Sequence, residues 1–176
     1  VLKRAIDVAG ASVGLAMTAP LFPLVAAAVK LTSKGPVFYS QVRCGAERRS
    51  DIAPSRPPSQ ERRGHRGYHT FRMYKFRTMT ARAAAPSCAD DEKTQTNDPR
   101  ITRCGRWLRK HRLDEILQVF NILRGEMSWI GPRPEAISLS QWYENEIPFY
   151  SYRHIVRPGI SGWAQVNQGH VTDLDE

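Results

Sequence analysis

The sequence predicts an α/β fold that is mostly helical, has a small sheet around Phe38 and Met73, and lies on a membrane. Three observations predict it: an uncharged run over residues 8–29, two short strand-like stretches, and a stretch of helical periodicity over residues 113–123. Apolar residues spaced three and four apart form one face of a helix, whereas alternation forms one face of a strand. The expected architecture is a bent N-terminal membrane helix joined to a mixed domain.

The composition allows one domain and favours an anionic partner. The 176 residues contain 26 lysines and arginines against 17 aspartates and glutamates, a formal net charge of +9. Such a balance suits nucleic acid, a phosphorylated substrate or an anionic membrane surface, and charge alone does not choose among them. The odd, scattered cysteines (Cys44, Cys88, Cys104) argue against a zinc site or a disulfide framework and favour a reducing compartment.

The uncharged run is the right length for a membrane segment. As a helix, residues 8–29 would extend roughly 33 Å, close to the hydrocarbon thickness of a bilayer. Pro20 and Pro23 lie just past its middle, where each removes a backbone hydrogen bond and clashes with the preceding turn. We therefore expect a sharp bend.

Three topologies are open for this segment: a spanning helix, a signal peptide that ends near residues 26–28, and a re-entrant helix. Asp7 and the length of the apolar run argue against a signal peptide. Basic residues flank the run on both sides (Lys3, Arg4, Lys30, Lys34). The positive-inside tendency then favours a helix that enters and leaves the same leaflet. We assign residues 1–34 to this helix and its flanks, and residues 35–176 to a cytoplasmic domain that would carry any catalytic site.

A short strand and a polar loop follow. The Gly35-Pro36 turn precedes a strand over residues 37–42. Residues 46–64 hold five arginines, three prolines and few apolar side chains, so we expect a flexible insertion there. Such a segment can bind anionic lipid headgroups or can be merely solvated. Because the chain begins with Val1 and ends without an obvious terminal element, we also expect further segments at both ends.

The next ordered stretch, residues 69–79, is strand-like. Lys75 and Arg77 would point to the same side of it, as a pair of cations for one phosphate group. Residues 81–96 are small, polar and acidic, which predicts a mobile linker or a helix over the site. Thr102 is a plausible N-cap for a helix that ends at Lys110.

The periodic stretch places apolar side chains on one face of a helix and keeps Asp114 and Glu115 off that face, accessible to solvent. An exposed Asp-Glu pair most often only solvates a helix. A chain break before this pair at residues 111–112, or a continuous helix, are both compatible with the sequence. A break would expose Asp114 to the positive end of a helix dipole and favour its ionised form.

Arginines follow in stiff turns. Arg133 lies between two prolines, and Arg157 precedes a Pro-Gly pair, so each guanidinium is presented from a constrained backbone. Between them, the run over residues 141–152 predicts an amphipathic helix with aromatic side chains that face a membrane interface or a core. Residues 160–166 predict a strand.

The motifs together resemble those of the bacterial sugar transferases, the monotopic phosphoglycosyl transferases. The resemblance rests on several segments in family order, residues 75–79, 98–102, 105, 108–109, 113–115, 121–123, 125–128, 131–134 and 157–166. The family implies a re-entrant helix with a Ser-Pro pair at its bend, where this chain has Ala19-Pro20. The segment 163–171 most resembles members from exopolysaccharide pathways. Family members commonly have a Gly-Arg pair near the position where this chain has Gly169-His170.

The resemblance implies a function. Asp114 is expected to attack the β-phosphorus of a UDP-sugar and release UMP, and polyprenyl (undecaprenyl) phosphate then accepts the sugar phosphate. Glu115 is the expected Mg²⁺ ligand. Lys75, Arg77, Arg133 and Arg157 are the expected phosphate-binding residues. The enzyme is expected on the cytoplasmic face of the bacterial inner membrane.

Two alternatives stay open. A basic nucleic-acid-binding module would use arginines 48–77 as its phosphate footprint, but it leaves the apolar run and the Asp-Glu pair unexplained. An inactive membrane-anchored assembly subunit would keep the fold without the activity. No residue pattern reports on which sugar is transferred or on the oligomeric state.

Overall fold

A computed structural model describes residues 1–47, 68–80 and 98–167. These residues are mostly helical, with two small sheets, which confirms the predicted class. They divide into two compact units. Unit 1 comprises the described parts of Val1–Gln41 and Arg72–Arg124, and unit 2 those of Val42–Phe71 and Gly125–Glu176. The predicted division at residue 34 stays a prediction.

Unit 1 begins with two helices separated by the predicted bend. Helix α1 (Leu2–Thr18) and helix α2 (Leu21–Thr32) meet at 60°. Pro20 is the N-cap of α2 and Pro23 lies in its first turn, where an N–H group would have no helical partner. No described helix alone is long and apolar enough to cross a membrane, whereas α1 and α2 together satisfy that test of length and composition.

The first sheet has two strands. Strand β1 (Phe38–Glu47) pairs with strand β2 (Tyr68–Phe76). The strand predicted over residues 37–42 therefore continues to Glu47, so the predicted insertion at 46–64 is wrong for its first two residues. Residues 48–64 of that insertion, the segment 81–96 and His170 lie outside the described residues.

Helix α3 (Arg103–Lys110) confirms the predicted cap. The Thr102 hydroxyl accepts a hydrogen bond from the Gly105 N–H at 2.9 Å, and the Thr102 N–H donates to the Thr78 carbonyl at 3.0 Å. A Cβ atom at position 105 would lie 2.1 Å from the Thr78 carbonyl oxygen. Glycine is therefore required for α3 to approach the chain segment that follows β2.

The chain breaks after α3, so a continuous helix through the Asp-Glu pair is wrong. Arg112 has φ 57°, in the left-handed region, and it redirects the chain into a 3₁₀ turn, Leu113–Glu115, ahead of helix α4 (Gln118–Arg124). The core of unit 1 is built from Val25, Val29, Phe76, Leu108 and Leu117.

Unit 2 contains a short parallel sheet. Strand β3 (Ser128–Ile130) pairs with strand β4 (Gly159–Ser161), Ser128 opposite Gly159 and Ile130 opposite Ser161. The backbone at Gly159 lies very close to the backbone at Gly131, since a Cβ atom added to Gly159 would lie 2.2 Å from the Gly131 nitrogen. The strand predicted over residues 160–166 ends at Ser161 and gives way to helix α6 (Trp163–Asn167).

The predicted helix over residues 141–152 is also interrupted. Helix α5 (Ile137–Glu146) ends before Pro148, and Phe149 has φ 65° at the start of a 3₁₀ segment, Tyr150–Ile155. Pro148 has no N–H group and so cannot continue the backbone ladder of α5. Helix α5 and the 3₁₀ segment thus replace the single predicted helix.

Candidate active site

Asp114 is buried in the 3₁₀ turn, with 7% of its surface exposed. The prediction that this side chain is accessible to solvent is therefore wrong. The turn that follows Arg112 directs it inward, off the continuous helical surface from which exposure was inferred. Its Oδ1 atom is buried and has no hydrogen-bond partner among the described residues. A buried carboxylate oxygen without a partner is costly unless a ligand or a reaction uses it.

The electrostatics of Asp114 result from opposed effects. Burial raises the pKa of this carboxyl above its usual range, and the neighbouring charge of Glu115 raises the pKa further. The positive charges of Lys75 and Arg109 act in the opposite direction and lower the pKa. Since the net direction is upward, the position at the start of the turn does not secure an unusually low pKa for Asp114.

Glu115 is held by cations from both sides. Lys75 Nζ lies 2.6 Å from Glu115 Oε1, and both side chains are largely buried. Arg112 NH1 lies 3.8 Å from Glu115 Oε2, but the arginine is 74% exposed, so this second pair is weak. The structure therefore brings three predicted site residues, Lys75, Asp114 and Glu115, into one cluster.

Arg109 is a member of this cluster that the sequence interpretation missed. Its Nε donates to the Thr78 hydroxyl at 2.9 Å, and its charge interacts favourably with Asp114 and Glu115. Burial lowers the pKa of its guanidinium. Leu108-Arg109 is one of the family motifs, but periodicity did not place Arg109 beside Asp114, because the left-handed Arg112 between α3 and the turn breaks the helical phase.

Arg77 binds the protein's own chain after α2, and the pairing of Arg77 with Lys75 on one phosphate stays a prediction. The Arg77 guanidinium is buried and donates to the Ser33 carbonyl at 2.7 Å, the Ser33 hydroxyl at 2.8 Å and the Lys34 carbonyl at 3.1 Å. The strand ends at Phe76, so alternation no longer sets the direction of residue 77. Arg77 instead satisfies carbonyls at the C-terminal end of α2, and a phosphate role for it stays a prediction.

Asn121 is a second residue to which the sequence interpretation gave no role in the site, although it begins the motif 121–123. It is completely buried, donates through Nδ2 to the Arg72 carbonyl at 2.7 Å, and accepts from the Tyr74 N–H at 3.4 Å. These bonds attach α4 to the strand that carries Lys75. An asparagine within an apolar helical stretch is the sequence signal that was available.

Arg133 and Arg157 belong to unit 2. Neither side chain has a hydrogen-bond or ion-pair partner among the described residues, and Arg157 is exposed. Arg133 lines a shallow cleft together with Cys44, Glu135, Arg153 and His154. Their contact with phosphate stays a prediction.

The Asp-Glu pair suits a hard cation. No cluster of three or more His, Cys, Asp or Glu side chains is placed to hold a metal among the described residues. Mg²⁺ commonly binds to one or two carboxylates and completes its coordination with substrate phosphates and water. The buried, unpartnered Oδ1 of Asp114 beside the Glu115 carboxylate fits that requirement.

Comparison with known proteins identifies the same family as the motifs. The sequence matches the model of the bacterial sugar transferase family over residues 1–51 and 55–176. The chain is 41% identical over 180 residues to a UDP-N-acetylgalactosamine-undecaprenyl-phosphate N-acetylgalactosaminephosphotransferase of Aeromonas hydrophila, covering 99% of this chain and 36% of that protein.

Other relatives carry related names. A UDP-glucose:undecaprenyl-phosphate glucose-1-phosphate transferase of Klebsiella pneumoniae is 39% identical over 95% of this chain and 31% of its own length. An exopolysaccharide production protein of Rhizobium leguminosarum is 37% identical over 94% of this chain and 74% of its own length. The chain thus spans about a third of the length of the first two relatives.

Proposed function

The chain belongs to the bacterial sugar transferase family, and on that premise we propose that it transfers a sugar 1-phosphate from a UDP-sugar to undecaprenyl phosphate. The names of its relatives support the acceptor and the sugar-phosphate donor. Those names differ in the sugar, N-acetylgalactosamine in one case and glucose in the other. The donor sugar of this chain is therefore left open in the proposal.

The observation that carries the proposal is the buried Asp114 carboxylate with an unpartnered oxygen. In the first step, an Asp114 oxygen forms a bond to the β-phosphorus of the donor. The bond from that phosphorus to the bridging oxygen breaks, and UMP leaves with the oxygen. A covalent intermediate of this kind divides one difficult transfer into two easier ones.

In the second step, a phosphate oxygen of the lipid attacks the same phosphorus. The Asp114–phosphorus bond breaks, the carboxylate is regenerated, and the sugar phosphate remains on the lipid as a diphosphate. Asp114 must be ionised to start the cycle. The charges of Lys75 and Arg109, which lower its pKa against the effect of burial, support that requirement.

The negative charge of the donor pyrophosphate must also be offset. Glu115, with Asp114 beside it, would hold Mg²⁺, which supplies charge neutralisation for the phosphates. Lys75 holds the Glu115 carboxylate at 2.6 Å and so fixes its orientation. Arg133 and Arg157 are proposed to bind donor phosphates, because neither guanidinium has a partner among the described residues.

The bent helices suggest how such a site reaches a lipid phosphate. We propose that α1 and α2 form a re-entrant segment at the cytoplasmic face of the bacterial inner membrane. Arg4 of α1 donates to the Ile122 carbonyl and, at 2.7 Å, to the Leu123 carbonyl, at the end of the helix that follows the Asp114 turn. An apolar helix bonded to that element would carry it to the membrane surface.

One experiment tests the reaction. Membranes that contain the full-length protein are incubated with a panel of UDP-sugars and Mg²⁺, and UMP is measured with Asp114→Asn as the control. We expect UMP release with one of the UDP-sugars. We also expect that the same UDP-sugar, when its sugar is radioactive, labels the polypeptide. Turnover that never labels the polypeptide would exclude the covalent route while leaving the transfer itself intact.

A second experiment tests the topology. Replacing Pro20 and Pro23 together with leucine should straighten the α1–α2 junction, since both residues restrict the backbone there. We expect one end of the segment to move across the membrane, detected by labelling single cysteines placed at residues 3 and 34. When Pro20 and Pro23 are kept, both introduced cysteines should be labelled from the cytoplasm. A periplasmic label at either cysteine would then contradict the re-entrant proposal.

A further inference from the structure

The loop 131–134, which carries Arg133, is held mainly through its carbonyl groups. Pro132 and Pro134 have no N–H group, so the loop offers few backbone donors of its own. The Gly159 N–H donates to the Pro132 carbonyl at 2.9 Å, and the Gly131 N–H donates to the Ser161 carbonyl at 2.9 Å. These bonds fix the start of the loop against β4 and leave the arginine itself to be positioned by another contact.

Arg153 provides that contact. Its NH2 group donates to the Arg133 carbonyl at 2.7 Å and lies 3.5 Å from Glu135 Oε1. One guanidinium therefore binds the chain at Arg133 and again two residues later. A charge-assisted hydrogen bond of this kind is stronger than a neutral one and has a more defined direction.

Arg153 is itself held in place. Its guanidinium lies over the Tyr150 ring, 4.6 Å from the ring centroid, and also donates to the Tyr150 hydroxyl. The Tyr150 ring packs against Tyr143 at 5.0 Å. Burial raises the pKa of Tyr150, so its hydroxyl remains neutral at physiological pH. The side chain of Arg153 is only 22% exposed, so its charge is committed to protein partners.

We infer that Arg153 is a positioning residue that presets the backbone of Arg133 for donor phosphate, an inference that rests on the proposed function of Arg133. The two arginines have different roles. Arg153 binds the loop, and Arg133 presents a guanidinium without a partner among the described residues. Without Arg153, the loop must be ordered when the donor binds, and that cost weakens binding. The chemical step at Asp114 does not depend on it.

The test uses the full-length protein in detergent-solubilised membranes. KM and kcat are measured from UMP release with the most active UDP-sugar of the panel, and the Kd of UDP is measured directly. Arg153→Met should raise KM and Kd about tenfold, the scale of one lost charge-assisted hydrogen bond, and should leave kcat nearly unchanged. Arg153→Lys should recover part of the loss. Arg106→Met, which removes an exposed arginine of α3, is the matched control and should change neither constant.

A double-mutant cycle separates positioning from direct binding. If Arg153 acts through Arg133, the variant that combines Arg133→Met with Arg153→Met should bind UDP no more weakly than Arg133→Met alone. Additive losses would overturn the inference, since Arg153 would then act independently of Arg133. If Arg153→Met unfolds, Arg153→Lys replaces it in the same cycle with the same criterion.

The outcome for Arg133→Met distinguishes the two levels of the claim. A weaker UDP affinity in Arg133→Met with no change in Arg153→Met or Arg153→Lys would overturn the positioning role alone. Unchanged affinity in Arg133→Met would remove the proposed phosphate role of Arg133, and the inference with it, while UMP release would still test the overall reaction.

Discussion

Two regions of this molecule handle charge in opposite ways. The turn Leu113–Glu115 in unit 1 buries its carboxylates among the protein's own cations, with Lys75 on Glu115 and the charge of Arg109 acting on Asp114. The loop 131–134 in unit 2 presents Arg133 with no side-chain partner among the described residues. The fold thus sets the charge environment of the carboxylates, whereas we propose that Arg133 is neutralised by a ligand.

Replacing Asp114 should reduce activity more than any other change to these two regions. Asp114→Asn should reduce UMP release by at least about a thousandfold, because loss of a nucleophile removes the covalent route. A reduction below tenfold would remove Asp114 from that role.

The same variant also reports on burial. Because burial raises the pKa of Asp114 in the folded chain, its ionised form favours the unfolded chain at pH values above the unfolded-state pKa. The unfolding temperature of Asp114→Asn at pH 7.5 should therefore not fall below that of the unchanged protein. A clear fall would show that the charge is stabilised by contacts that the pKa direction does not reflect.

Glu115 tests whether the tuned carboxylates bind metal. Glu115→Gln should raise the Mg²⁺ concentration for half-maximal UMP release by at least about tenfold, an effect that loss of even an outer-shell partner commonly produces. The readout is a Mg²⁺ titration at saturating donor. An unchanged midpoint would contradict the ligand assignment and leave Glu115 with its ion pairs to Lys75 and Arg112.

Replacing Arg157 tests whether an arginine of unit 2 without a protein partner among the described residues binds the donor. Arg157→Met should raise KM for the donor about tenfold, the scale of one charge-assisted hydrogen bond. Its unfolding temperature should be unchanged, since the side chain is exposed and has no partner among the described residues. A stability loss with an unchanged KM would reverse the comparison, because Arg157 would then serve the fold and not a ligand.

The smallest expected effect is a shift in pH dependence. The charge of Lys75 lowers the pKa of Asp114, so Lys75→Met should move the acidic limb of kcat/KM to higher pH. The exposed Lys110 of α3 provides the control, since Lys110→Met should leave the limb in place. Movement of the limb to lower pH in Lys75→Met would show that Lys75 affects the ionisation of another group.

The local elements were predictable where local chemistry decides them. Two prolines predicted the bend between α1 and α2, and a threonine before a polar-apolar stretch predicted the cap of α3. The sequence left a break before Asp114 and a continuous helix both open, because the choice depends on Arg112 adopting φ 57°. Non-glycine residues adopt this conformation only when the surrounding structure favours it.

The site shows the same division. The motif order identified Asp114, Glu115 and Lys75, and the structure gathers these three side chains in one cluster. The alternation that placed Arg77 beside Lys75 ends with the strand at Phe76, and the Arg77 guanidinium binds carbonyls at the end of α2. Arg109 was part of a motif, but its position beside Asp114 depends on the change of chain direction at Arg112, which the hydrophobic periodicity does not predict.

The family, the mostly helical class, the bend and the carboxylate pair followed from the amino-acid order alone, since motif order and proline or capping chemistry act locally. The burial of Asp114, the cations around it and the arginines that bind to the protein's own chain were set by packing. Burial and long-range charge depend on residues distant in the chain, such as Lys75 and Glu115. Their distance in space is set by packing and not by spacing along the sequence.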